Sequence, residues 1–286
     1  MLLTPNFGTR IRGFLDFVKS FKPSIVYCND ELDGSVYQAV QAKRELGVRI
    51  ALFHWELLKH MKRLSIKVLN EFDLHICGCS GALKLLEHMG IKNVYEKPVP
   101  QVGINVNLFK PLGGIRTRDL IYAGGRTVNK GIHFTEKTAR ELGLSILWVG
   151  KQRPFDILPY EGFPSYGDDV GFIEYEQLPL YFNRAKVLVM PEIDTPAWVP
   201  QFGFVIGEAL SCGLRCVISD AGDNIENWGE APGVRIVPQG FIPELKEAIL
   251  SSLKDWEPNL AGRRYIIERY SCEVIANELI KAFERT

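Results

Sequence analysis

The sequence predicts an α/β protein made of two doubly wound domains. Short apolar runs of strand length alternate with helix-length segments, the alternation pauses at a glycine- and proline-bearing stretch and then restarts, and 286 residues suffice for two domains of ordinary size. A composition 46% hydrophobic and 24% charged fits a globular chain.

The elements follow in order. "SIVYC" (24–28), "RIALFH" (49–54) and "LHICGC" (74–79) read as buried strands, separated by helix-length segments at 33–47 and 56–70. Apolar runs without alternation point to a parallel sheet covered on both faces. "SGALKLLEHMG" (80–90) has a Ser cap and a Gly stop around a helical period. "KPLGGIRTR" (110–118) marks the predicted boundary, giving domains 1–110 and 111–286. Beyond it, "DLIYAGG", "SILWVG" and "AKVLVMP" read as strands, with "GIHFTEKTARELG" a helix. Then come a helix containing Glu208 and the strand "RCVIS"; the tail, 242–286, reads as helices.

Net charge is zero, so bulk charge gives no argument for nucleic acid. Residues 1–110 carry a net +5 and the remainder a net −5. Six cysteines show no CxxC spacing and read as buried thiols. His75, Cys77 and Cys79 would share one strand face, but no fourth ligand accompanies them and a core face is the simpler reading. The start, "MLLTPNFGTR", lacks the apolar core of a signal peptide, and no run of 18 apolar residues exists.

Two loops carry chemistry. In doubly wound sheets ligands bind beyond the carboxyl ends of the strands. "AGGRTVNKG" (123–131) places two glycines at a strand end, a helix start near Gly131, and Arg126 and Lys130 between them. The loop reads either as a diphosphate site, with backbone N–H groups, a positive helix end and two cations, or as a basic surface turn. "PAWVPQFG" (196–203) leads into the second helix start. Glu208 lies about one and a half turns inside that helix, between Ile206 and Leu210. An acid on so apolar a helix needs donors, from the protein or from ligand hydroxyls.

These residues resemble the retaining glycosyltransferases of the GT-B fold, family 4. "FGFVIGEALSCGLRCVISDAG" is similar to that family's Phe-Gly…Glu-Ala…Cys-Gly signature. "YAGGRTVNKG" resembles its Gly-Arg…Lys-Gly loop, with one residue fewer between Arg and Lys than is common. "DDVGFIEYEQLPLYFNRAKVLVMP" and "SGALKLLEHMGIKNVYEKPVPQVGINVNLFKP" resemble adjoining segments, and the likeness covers roughly residues 22–285. It implies two Rossmann-like domains facing a cleft, the first one short, and transfer of a sugar from a nucleoside-diphosphate sugar to an unidentified acceptor. Arg126 and Lys130 would hold the diphosphate beside Gly125, and Glu208 would accept the ribose hydroxyls. Ile173 would line the base pocket; backbone amides around Phe202, Gly203 and Phe204 would face the sugar and its phosphate. His54 would face the donor sugar from the first domain. His54, Arg126 and Lys130 are thus the implied catalytic set, with no metal or other cofactor required.

Two departures stand out. The family usually has a second Glu eight residues before the one matching Glu208, and that position is Pro200; Glu192, Asp194 or Gln201 are the candidate substitutes. The first domain is also short, with "TPNFGTR" a possible remnant of an acceptor-side loop. The alternative function is therefore a silent nucleotide-sugar-binding or scaffold subunit working with a partner. The expected location is cytoplasmic; "LLKHMKRLSIK" (57–67) suggests peripheral membrane contact or a solvated helix face.

Overall fold

The computed structural model describes residues 10–29, 34–55, 65–151 and 164–285. Nearly all of "TPNFGTR" and most of 57–67 lie outside the described residues. The chain divides into two compact units, Met1–Gln101 with Ile275–Thr286, and Val102–Val274. Where the sequence reading divided the chain after residue 110, this division falls after Gln101 and returns the last residues to the first unit.

The first unit holds α1 (Phe14–Phe21), β1 (Ile25–Cys28), α2 (Ser35–Leu46), β2 (Arg49–His54), α3 (Ile66–Leu69), β3 (Leu74–Cys77) and α4 (Ser80–His88). Its strands form a parallel sheet in the order β1-β2-β3, with Val26 opposite Ile50 and Ala51 opposite Leu74. Ile50, Leu52 and Ile76 are fully buried, as expected of strands covered on both faces. α2 ends on Gly47 in the left-handed region, whose N–H reaches the Lys43 carbonyl.

The second unit comprises β4 (Arg118–Ala123), α5 (Ile132–Leu142), β5 (Ile146–Val149), β6 (Asp168–Gly171), α6 (Leu178–Phe182), β7 (Ala185–Met190), α7 (Phe204–Ser211), β8 (Arg215–Ser219), α8 (Asn224–Trp228), β9 (Val234–Val237), α9 (Ile242–Leu253) and α10 (Leu260–Tyr270). α11 (Cys272–Glu284) starts here and from Ile275 onward belongs to the first unit. All six strands are parallel, in the order β6-β5-β4-β7-β8-β9. Counted within the unit this is 3-2-1-4-5-6, the Rossmann order, with the reversal between β4 and β7. Leu120, Ile121, Val187 and Leu188 flank that reversal fully buried, each contributing about 1.5–3 kcal/mol of apolar transfer.

α7 is buried along Ile206–Ser211, which explains its apolar sequence. Its carboxyl end meets two cations: Arg263 donates to the Ser211 carbonyl at 2.8 Å and Arg116 to the Cys212 carbonyl at 2.7 Å. Both satisfy orphan carbonyls at the negative end of the helix.

Candidate functional site

The carboxyl ends of β4, β5, β6 and β7 converge on one cavity of the second unit, of about 610 Å³. It is lined by Gly124 and Gly125 after β4, Gly150 and Lys151 after β5, Phe172, Ile173 and Glu174 after β6, and Met190 at the end of β7. Phe204, Val205 and Glu208 present the amino-terminal half of α7. The position beside the strand-order reversal is where the Rossmann arrangement leaves a crevice.

Backbone geometry builds this edge. The Gly124 N–H bonds the Val149 carbonyl at 3.0 Å and the Gly150 N–H bonds the Gly171 carbonyl at 2.8 Å. The Tyr122 phenol closes over the loop onto the Gly125 carbonyl at 2.6 Å. A 3-10 turn, Val128–Lys130, precedes α5, so the helix begins at Ile132 with Gly131 as its cap. Gly131 has φ +70°, and a Cβ there would stand 2.0 Å from the Pro191 carbonyl oxygen. Only glycine lets this loop pack against the end of β7.

Of the residues expected from sequence, Gly125, Lys130, Ile173, Phe204 and Glu208 line the cavity. Glu208 is 6% exposed, and its Oε1 accepts a hydrogen bond from the Tyr175 phenol at 2.7 Å. Burial raises the Glu208 carboxyl above the ordinary range, and the Tyr175 bond opposes that rise. The Tyr175 hydroxyl is itself raised, first by desolvation and then by Glu208. The buried acid thus finds its donor within the protein, on a residue that also lines the cavity.

Lys130 stands 2.6 Å from Glu192 Oε1, with its ammonium 4.2 Å from the centre of the Trp198 ring. Glu192 is 2% exposed, and its Oε2 has no hydrogen-bond partner among the described residues.

Other expected residues sit elsewhere. Arg126 does not line the cavity: it is 3% exposed and grips Asp169 with both terminal nitrogens. That fork pairing holds Asp169 below the ordinary carboxylate range, with burial opposing. Phe202 turns into the core against Trp228 and Tyr270, and its carbonyl accepts from the Trp228 indole at 2.7 Å. Gly203 caps α7 in the left-handed region. The candidate substitutes for the missing Glu also lie off the cavity. Glu192 is paired with Lys130, Asp194 accepts from the Gly222 N–H at 2.9 Å and from the Gln239 amide, and the Gln201 carbonyl accepts from Asn227.

His54 ends β2 in the first unit, 1% exposed, with Nε2 2.8 Å from His75 Nδ1. His75 Nε2 lies 3.0 Å from the Leu69 carbonyl. A carbonyl only accepts, so His75 donates through Nε2, its Nδ1 accepts, and His54 donates through Nε2. Burial, with His54 adding, holds His75 down to about 3, so it is neutral near pH 7. Cys77 and Cys79 lie in the hydrophobic core. Among the described residues no group of three or more His, Cys, Asp or Glu is placed to hold a metal ion, and no helix is long and apolar enough to cross a membrane.

Sequence reasoning did not single out Asp169, Tyr175, Trp198, Phe172 or Lys151. Phe172 adjoins Ile173 and Tyr175 follows it by two residues, which is the one signal available for either.

Residues 117–255 match the family model of the glycosyl transferases group 1. No curated protein matches the chain by sequence. Sucrose-phosphate synthase from Thermosynechococcus elongatus is similar in structure, at 20% identity and TM-score 0.76, over 95% of this chain and 76% of that one. HepE of Anabaena, solved in complex with UDP-glucose, aligns at 15% identity and TM-score 0.74, covering 98% and 85%. A glycosyltransferase from Rickettsia africae aligns at 12% identity and TM-score 0.74, covering 95% and 79%. The chain has the GT-B fold that the sequence resemblance implied, with Rossmann-like α/β units, and its likeness to the glycosyl transferases group 1 lies in the second unit, over residues 117–255.

Proposed function

We propose that this protein is a retaining glycosyltransferase of family 4 that binds a nucleoside-diphosphate sugar in the cavity of its second unit and transfers the sugar to an acceptor. The observation that carries this reading is the placement of Lys130 and Glu208 on one cavity at the reversal of strand order. Lys130 is suited to the diphosphate and Glu208 to the ribose hydroxyls. Phe172 and Ile173 offer an apolar wall to the base.

The chemistry asks little more of these residues. When the bond between the anomeric carbon and the diphosphate breaks, positive charge develops on the sugar ring and negative charge on the leaving oxygen. Lys130, restrained by Glu192 and Trp198, is a preorganised cation for that developing charge. Retention would be seen directly from the anomeric configuration of the product by NMR. The Anabaena neighbour was solved with UDP-glucose, so UDP-glucose leads the donors to test.

The reading is tested by thermal shift with UDP, GDP and ADP and their glucose conjugates. A ligand at 100 times its dissociation constant stabilises by about 2.7 kcal/mol. No shift with any diphosphate would sink it.

A second reading, a silent nucleotide-sugar-binding subunit, draws on the absent carboxylate at Pro200 and on Arg126 being held by Asp169. Binding without release of nucleoside diphosphate from any donor, with or without acceptors, would favour it.

A further inference from the structure

We propose that Tyr175 is a positioning residue for ribose recognition: its phenol holds Oε1 of Glu208 so that the rest of the carboxylate is presented to ligand hydroxyls in the cavity. This rests on the nucleotide-sugar reading of that cavity and adds to it a residue from outside the signature helix.

The geometry carries the assignment. Glu208 lies on a helix whose neighbouring side chains are apolar and buried, and among the described residues the Tyr175 phenol is the group that donates to it. A carboxylate has about four acceptor positions, of which this bond uses one. With no donor the buried group would turn freely or take up a proton, and in either state it would present hydroxyls with a poorer acceptor. Tyr175 is itself held from behind. Its ring packs edge-on against Phe109, centroids 5.3 Å apart. Phe109 is fully buried, and its carbonyl is fixed by Arg263 at 2.8 Å. A rigid platform thus delivers one donor to a chosen carboxylate oxygen from the turn after β6. Tyr175 also lines the cavity, so a ribose bound to Glu208 would lie against it.

The experiment compares UDP, GDP and ADP with their 2′,3′-dideoxy counterparts on wild type, Tyr175→Phe, Glu208→Gln and the double variant, by calorimetry. Apo melting curves of the four proteins confirm folding. Tyr175→Phe keeps the ring and loses only the donor. The expected result is a roughly tenfold loss of affinity for the ribonucleotide that binds, little change for its dideoxy analogue, and no further loss when Tyr175→Phe is added to Glu208→Gln. A ribose preference unchanged in Tyr175→Phe but abolished in Glu208→Gln would overturn the proposal and leave the nucleotide reading standing. Equal losses for both sugars in Tyr175→Phe would likewise overturn it, as a general structural effect. A preference indifferent to Glu208→Gln would overturn the proposal by removing Glu208 from ribose recognition, and no binding of any diphosphate would overturn the nucleotide reading with it.

Discussion

Lys130 and Glu192 form an ion pair at 2.6 Å whose acid is sealed from water while its base lines the cavity. The pair is asymmetric, so its two halves have different consequences. Lys130→Met would leave a carboxylate buried without its cation, expected to cost about 3 kcal/mol of stability. Glu192→Gln leaves the partly exposed Lys130 free to meet solvent and still seated on Trp198, and is expected to be milder. For ligands the directions part. Lys130→Met should lower nucleoside diphosphate affinity about 10- to 150-fold while sparing the nucleoside. Glu192→Gln should raise diphosphate affinity by removing a competing anion. Melting curves with diphosphate and nucleoside titrations read all four values; equal loss of both ligands in Lys130→Met would remove it from the phosphate role.

Arg126 and Asp169 join the loop after β4 to strand β6. The fork pairing predicts a structural anchor. Arg126→Ala should lower the melting temperature by about 2–4 °C for each kcal/mol lost, with 1–3 kcal/mol expected for stranding one partner. A double-mutant cycle with Asp169→Ala should return most of that energy as coupling. The ratio of diphosphate to nucleoside affinity should hardly move in either single variant. A rise in diphosphate affinity in Asp169→Asn would show instead that Arg126 is released to the ligand.

Much of this arrangement was legible in the sequence, for identifiable reasons. Strand β2 was placed at its full extent, 49–54, because a run buried on both faces has no polar interruption. Strand β6, with Asp168 and Asp169 exposed at the sheet edge, has no apolar run to read, and β9 alternates at the other edge for the same reason. The loop holding Lys130 was visible through its glycines, one of which a side chain would drive into Pro191. The fate of Arg126 was not visible, because its partner lies 43 residues away on an element the sequence concealed. The Tyr175–Glu208 bond spans 33 residues and depends on where one turn places a phenol. Sequence periodicity says which residues share a face, and it carries no information about which two side chains meet across the fold.

The two histidines offer a test of the first unit. His75 is held down to about 3 by burial, against 6.5 for an exposed imidazole. The unfolded chain therefore binds one more proton than the fold between those values. The stability due to neutral His75 is present above 6.5 and is lost as pH falls, with a slope approaching 1.4 kcal/mol per pH unit. His75→Asn should flatten that slope in urea titrations between pH 7 and 4. Nitrogen NMR should show His75 protonated on Nε2 throughout; an Nδ1-protonated tautomer would contradict the inferred donor chain from His54 to Leu69.

Glu208 should make stability and ligand affinity respond to pH in opposite directions. Burial raises its carboxyl above the ordinary range, and the Tyr175 bond opposes that without cancelling it. Between the unfolded value and this raised folded value the fold binds the extra proton. Its contribution to stability is therefore full at low pH and is lost as pH rises through the folded value. Ribose hydroxyls, by contrast, are best accepted by the charged form, so nucleotide affinity should fall as pH is lowered through the same window. Other carboxylates add their own slopes, Asp169 with the reverse sign for stability, so the comparison is between wild type and Glu208→Gln. The variant cannot take up the proton. Subtracting its stability profile should leave a contribution that grows as pH falls toward the carboxylate range, and its nucleotide affinity, already lower, should be flat where that of the wild type declines. Denaturant melts and calorimetry at matched ionic strength from pH 7.5 to 4.5 give both curves. Parallel curves in the two proteins would mean that Glu208 does not titrate in this range, and would remove the carboxylate from the binding step.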